Sequence, residues 1–322
     1  MNAEQLILDY HHIFTQLHKQ YKWTHKPVLM ASAAMYIMTS QTFNLESFIH
    51  TANAIKRQAN LFSPMRSHLR LTTASVLETN FEDPIQHIPR LFEIYGELIK
   101  PFKRSHYTYI AATIILTNND EVSHKEMITK AKSIYDNMKK EHPFLTGPSD
   151  FPLATILAYE GRDDLNKRME YFYDTLCTHS FQKGNHLQFL THILSISQEK
   201  NDILINRVTL IYDDFKRAGI KRKSMYYPVM GMLALLEPDI LDIDEVTDMY
   251  EHLNRIKHFK WQKDMNIMMA ASFFVSQILE SSSMAQASLH TTVEALIQAQ
   301  QAVMVAAMAS SASASAGSTN SS

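Results

Sequence analysis

The stretch Leu61–Leu77, LFSPMRSHLRLTTASVL, joins a Ser-Pro helix start and two arginines to a helix of small and apolar residues. Proline in a first helical turn lacks only an N–H that would be unpaired anyway, and a preceding serine caps its neighbours. Taken alone, the stretch has the texture of a binding loop. The rest of the chain makes it one unit of a repeat.

Two columns of residues keep a near-constant step. Phe14, Ala54, Tyr95, Tyr135, Tyr173, Tyr212 and Tyr250 follow one another at 38–41 residues, and Tyr21, Phe62, Phe102, Phe144, Phe181, Ile220 and Phe259 at 37–42. Each unit opens with an acidic or Asn-containing turn such as NFEDP or LDIDE. An amphipathic segment follows, here called helix A, for example IPRLFEIYGELI or INRVTLIYDDF, with apolar residues three and four apart on one helical stripe. A turn leads to helix B, apolar all round, as in YTYIAATIIL or YYPVMGMLALL. Such a helix has to be enclosed by neighbours, and Ala111, Ala112, Ala154, Gly231, Ala270 and Ala271 at B-helix centres let neighbours come close.

One hairpin leaves an apolar face exposed, and stacking covers it. The expectation is therefore all-α: seven stacked helical hairpins of about 39 residues forming an α-solenoid, with a closed α/α toroid as the alternative. Residues 1–279 form the repeat domain, 280–309 a C-terminal capping helix, and 310–322 a disordered Ser/Ala tail.

The 322 residues carry enough apolar side chains (45 %) for a large core. Seven glycines are too few for a fold built on tight strand turns or phosphate-cradling loops. The lone Cys177 excludes an intramolecular disulfide and a cysteine-built metal site. The N-terminus MNAEQLILDYHH has no secretory pattern, and the most apolar stretch, Met225–Leu236, is short and interrupted by Pro228 and Gly231. These features predict a cytoplasmic protein with no membrane span.

LFSPMRSHLRLTTA and FLTGPSDFPLATILA resemble the corresponding stretches of a bacterial family catalogued as domain of unknown function 4003, as does the Ala/Ser-rich C-terminus. The resemblance covers almost the whole chain. It brings no activity, cofactor or site residue with it.

The sharpest chemical signal is charge in the turns. The seven A-to-B turns hold 21 of the 31 Lys and Arg but only three acids, Glu141, Asp150 and Asp264, whereas the B-to-A turns hold 17 acids and six bases. Helix dipoles explain acids at the start of helix A and bases at its end. They do not explain bases at the start of helix B, where a positive dipole end already sits. Arg66, Arg70, Lys103, Arg104, Lys221, Arg222, Lys223 and Lys260 therefore form a candidate binding edge for an anionic partner, with solubility as the rival cause. Trp261 and Tyr226 accompany these bases as aromatics do in single-strand binders, but packing is the expected role of both rings.

No catalytic constellation appears. The sixteen histidines are scattered, and no H-E-x-x-H, G-x-S-x-G or Gly-rich nucleotide loop occurs. Neither a metal nor a cofactor is expected. His192 reads as a core histidine, Cys177 as an inert small residue, and LTGPSD at 145–150 as a capped turn. The leading functional expectation is a non-catalytic scaffold that binds an acidic protein or other anionic partner. An enzyme with its site inside a closed helical ring and a nucleic-acid-binding protein are the alternatives.

Overall fold

In a computed structural model of the chain, residues 3–118, 123–160, 162, 164–281 and 296–297 are described. Every regular element among them is helical, in seven A–B pairs. These are α1 (Ala3–Gln20) and α2 (Lys26–Met38); α3 (Leu45–Gln58) and α4 (Leu69–Asn80); α5 (Pro84–Leu98) and α6 (His106–Thr117). They continue with α7 (His124–Glu141) and α8 (Phe151–Leu157); α9 (Leu165–Thr178) and α10 (Asn185–Ile196); α11 (Asn201–Arg217) and α12 (Tyr227–Ala234); α13 (Ile243–Arg255) and α14 (Lys263–Ser281). Short 3₁₀ turns at Pro64–Arg66, Pro148–Asp150 and Ser224–Tyr226 lead into α4, α8 and α12. Beyond Ser281 only Leu296 and Ile297 are described, so the capping helix and tail expected at 280–309 and 310–322 lie almost wholly outside the described residues.

The chain divides into two units, Glu4–Ile128 and Thr129–Leu296, with the boundary inside α7. In the first, B helices pack in chain order, α2 on α4 on α6, and α3 packs on α5. In the second, α8 packs on α10, α10 on α12 and α12 on α14, while α9, α11 and α13 adjoin in turn. Within each unit, then, like packs on like.

Burial follows the two sequence textures. The B helices α2, α4, α6, α10 and α12 have long runs of consecutive buried residues, such as Thr108–Leu116 and Leu187–Ile196. The A helices bury a stripe: Ile88, Leu91, Ile94 and Leu98 in α5; Val246, Met249 and Leu253 in α13. Gly231 marks a close approach of two B helices. A Cβ there would lie 2.8 Å from Leu190 Cδ1 and 3.2 Å from Ile193 Cγ2, so α12 sits against α10 only because the position has no side chain.

Three tyrosines of the first column share one environment. Tyr95 stacks on Tyr109 with ring centroids 3.6 Å apart, Tyr135 meets Phe151 edge-on at 4.9 Å, and Tyr212 lies 6.2 Å from Tyr227. Each of these three rings meets an aromatic in the first turn of its own B helix, whereas Tyr173 lies 4.6 Å from the ring of His142 in the preceding A-to-B turn. The second column divides. Phe102, Phe181, Ile220 and Phe259 are buried, but Phe62 and Phe144 are 96 % and 99 % exposed. The equal spacing thus misplaces these two rings: the turns carrying them have different geometry, described below.

A further column was not read from the sequence. Thr51, Arg90, Arg168 and Arg207 share one position of helix A at multiples of 39 residues. Each reaches the end of its helix B or the residues beyond it. Thr51 donates to Glu78 at 2.8 Å, and Arg90 bonds the Nδ1 of His124. Arg168 donates to the Glu199 carbonyl at 2.6 Å, and Arg207 to the Leu236 carbonyl at 3.2 Å. These side chains latch helix A to the end of helix B or to the segment beyond it, through a carboxylate, an imidazole or a backbone carbonyl.

Candidate functional site

The site is assembled from A-to-B turns, each unit by itself. In Glu4–Ile128 three such turns adjoin. The first meets the second where the rings of His25 and His68 lie 5.5 Å apart, and the second meets the third where Ser63 Oγ and the Tyr109 hydroxyl lie 2.9 Å apart. Between the second and third lies a cleft of about 430 Å³, lined by Phe62, Ser63, Tyr95, Arg104, His106 and Tyr109 among others. Ser63 also caps the 3₁₀ turn by accepting from Met65 N–H, and Ser105 caps α6 by accepting from Thr108 N–H. Burial pushes the Tyr109 phenol up to about 12 and holds His106 below its usual value, so both side chains are neutral at pH 7. Arg104 is the charged group on the cleft's wall.

The eight bases proposed from sequence fall into two groups. Four are engaged with the fold. Arg66 donates to the Ala59 carbonyl at 3.1 Å, and Arg70 to the Arg66 and Ser67 carbonyls. Arg222 lies over the Tyr212 ring at 4.4 Å, and Lys223 pairs with Asp264 at 2.5 Å. Burial pulls the Asp264 carboxyl upward, but its bonds to Lys223 and the Tyr226 hydroxyl prevail and hold it below the usual range. The other four, Lys103, Arg104, Lys221 and Lys260, are exposed, and among the described residues none of them forms an ion pair.

Packing accounts for Tyr226, which is buried, but not for Trp261, which is 79 % exposed with the Lys260 ammonium over its ring at 5.1 Å. The packing expected for Trp261 is therefore corrected: the buried member of that turn is Phe259, two residues earlier. Sequence reasoning also passed over Trp23, 98 % exposed between Lys22 and Lys26. The available signal was a bulky apolar residue in a short turn whose apolar column was already filled by Tyr21.

The other expected features are structural. Among the described residues no cluster of three or more His, Cys, Asp or Glu is placed to hold a metal. His192 is buried in α10, and desolvation lowers it to about 3, so it stays neutral. Burial raises the Cys177 thiol, which opposes thiolate formation. In LTGPSD, Asp150 accepts from Gly147 N–H at 2.8 Å and Thr146 Oγ1 donates to the Met138 carbonyl at 3.0 Å, so the turn is closed on itself.

These turns lie within the part of the chain, residues 13–302, that matches the family described as protein of unknown function (DUF4003). The chain belongs to that family. It is 34 % identical over 311 residues to the uncharacterized protein YeaA of Bacillus subtilis (strain 168), covering 94 % of each chain. No solved structure matches it. The exposed turns are thus a feature of a DUF4003 protein whose matched region includes every hairpin but the start of α1. Among the described residues no helix is long and apolar enough to cross a membrane.

Proposed function

We propose that this DUF4003 chain is a non-catalytic, cytoplasmic helical-repeat scaffold, an α-solenoid, that binds an anionic partner through its exposed A-to-B turns. The observation that carries the reading is the division of the bases. Arg66, Arg70, Arg222 and Lys223 hold turn conformations, whereas Lys103, Arg104, Lys221 and Lys260 face solvent without an ion pair among the described residues. Solvent-facing bases attract polyanions at a range set by the Debye length, about 10 Å at 0.1 M salt. An acidic protein segment fits this pattern, and salt dependence is its signature.

The test uses the full chain on immobilised polyglutamate. The variant Lys103→Glu/Arg104→Glu/Lys221→Glu/Lys260→Glu is expected to elute at much lower salt than the parent. Glu82→Lys/Asp83→Lys, on the opposite turns, is expected to keep or increase retention. Identical elution of the parent and the four-site variant would remove the reading.

A further inference from the structure

Four A-to-B turns share a geometry that their apolar content makes unusual. Backbone bonds from Thr24 to Tyr21, Ser63 to Asn60, Leu145 to His142 and Gln262 to Phe259 close four-residue turns at 3.0, 2.9, 3.2 and 2.7 Å. Their central pairs are Lys22-Trp23, Leu61-Phe62, Pro143-Phe144 and Lys260-Trp261. Central positions of such turns favour Gly, Pro, Asn, Asp and Ser. Here the third position is a Trp or Phe every time, at least 79 % exposed, and Leu61 beside Phe62 is 73 % exposed. No other large apolar residue among the described ones exceeds 55 % exposure.

Charge accompanies these apices. The first unit's three A-to-B turns, 19–26, 56–70 and 100–106, hold 3, 4 and 3 bases, ten together, and no acid. Phe144 follows Lys139, Lys140 and Glu141, and Trp261 lies between Lys260 and Lys263, with Asp264 next and paired to Lys223.

We infer that these apices are wedges for peripheral docking on an anionic phospholipid surface. The inference rests on the anionic-partner reading above and names its partner class. Bulky side chains exposed at turn apices, with bases nearby in sequence, suit a fluid interface into which wedges sink. Trp is favoured at the level of the headgroups, and nearby Lys and Arg are drawn to acidic lipids. A protein partner is bound best through clustered anchors filling concave pockets. A nucleic-acid strand needs flat rings along a groove, and Leu61 has no face on which a base can stack. Two weak signals together, apolar wedge and basic surround, give reversible anchoring where one alone does not.

The chain supplies its own probe, because its only two tryptophans, Trp23 and Trp261, are both at apices, one in each unit. The experiment titrates full-length protein, and the single-tryptophan variants Trp23→Phe and Trp261→Phe, with vesicles of phosphatidylcholine alone or with about one-third phosphatidylglycerol. Tryptophan emission and co-flotation are read together. The expected result is a blue shift and quenching by brominated lipid on the acidic vesicles only, weakened by salt. Phe62→Ser is expected to lower partitioning about ten-fold, with unchanged circular dichroism. Flotation without any emission change overturns insertion while leaving the anionic edge intact. Retention on polyglutamate with no vesicle binding, or Phe62-dependent self-association with no vesicle binding, likewise overturns it, assigning the tips to an acidic protein or a second copy. Failure on both vesicles and polyglutamate removes both readings.

Discussion

The two kinds of turn use the same residue types for opposite ends. At the B-to-A turns, part of the charge is engaged inside the fold. Arg207 reaches the Leu236 carbonyl, Glu237 at 2.7 Å and Glu199 at 3.4 Å, and Glu78 accepts from the Tyr36, Ser47 and Thr51 hydroxyls at 2.7–2.8 Å. At the A-to-B turns, Lys103, Arg104, Lys221 and Lys260 face solvent, Arg104 on the cleft that Phe62 also lines and Lys260 over the exposed Trp261 ring. Glu78, Glu199 and Glu237 are held in networks that close their hairpins; of the eight bases singled out in the A-to-B turns, four are left over after their own turns are satisfied. The difference teaches that a charge count along an edge says nothing of function until the engaged residues are subtracted.

The largest expected effect tests that subtraction. Arg207→Ala removes a side chain only 10 % exposed, and with it the bonds to a turn carbonyl and two carboxylates. Leaving such partners uncompensated costs about 3 kcal/mol, whereas Arg104→Ala on the other edge costs under about 0.5 kcal/mol. Urea unfolding of both variants decides it. Equal losses would mean the two edges are built alike. Glu78→Ala, which strands the buried Tyr36 hydroxyl, is expected to cost about 2 kcal/mol by the same measurement.

The sequence carried the architecture further than it carried the site. Periodicity alone located the A and B helices, because enclosed and half-enclosed helices have different apolar patterns, and the tyrosines at 95, 135 and 212 do meet the start of their B helices. The latch column at 51, 90, 168 and 207 was hidden because Thr and Arg perform one task there, and the eye compares residue types. Phe62 and Phe144 matched the column in spacing yet point outward, since one closed turn can rotate an apolar residue from core to solvent without changing the count. Among the bases, no property of the letters separates Arg66, bound to a carbonyl, from Arg104, bound to nothing charged.

Acidity sharpens the comparison next. Asp150 is one of three acids in the A-to-B turns and, unlike the acids opposite, it is buried, which raises it to about 6 despite the bond from Gly147 and the nearby Lys139. Between about 4 and 6 the folded chain therefore holds a proton the unfolded chain has lost, and stability falls as pH rises through that window by roughly 1 kcal/mol per unit. His192, lowered to about 3, acts in the opposite sense: between about 3 and 6.5 the unfolded chain binds the extra proton, so stability rises with pH. The two slopes oppose each other between 4 and 6. Asp150→Asn keeps an acceptor for Gly147 but removes the first slope, so its stability should drop on acidification below 6.5 while the parent's changes less. Parallel pH profiles for the two proteins would contradict the burial of Asp150.

A smaller effect asks how A-to-B turns are closed when no wedge is displayed. Ser180 and Gly219, one repeat apart, both adopt left-handed backbones, with φ of 69° and 72°. Each lets the next residue return a bond across the helix end, Phe181 to Leu176 and Ile220 to Phe215, and turns that residue's side chain into the core. Serine resists this conformation and glycine does not. Ser180→Gly is expected to stabilise the chain by about 0.5 kcal/mol, part of the relief being offset by the greater freedom of glycine when unfolded. Phe144→Ser, at an apex that packs on nothing, should leave stability within about 0.5 kcal/mol, because a side chain 99 % exposed has no burial to lose. Thermal or urea unfolding of the pair separates two ways of ending helix A: one turns its ring inward to close the hairpin, and the other leaves it outside. A loss of several kcal/mol at Phe144 would place that ring among the fold's own contacts and strip the A-to-B turns of the feature that sets them apart.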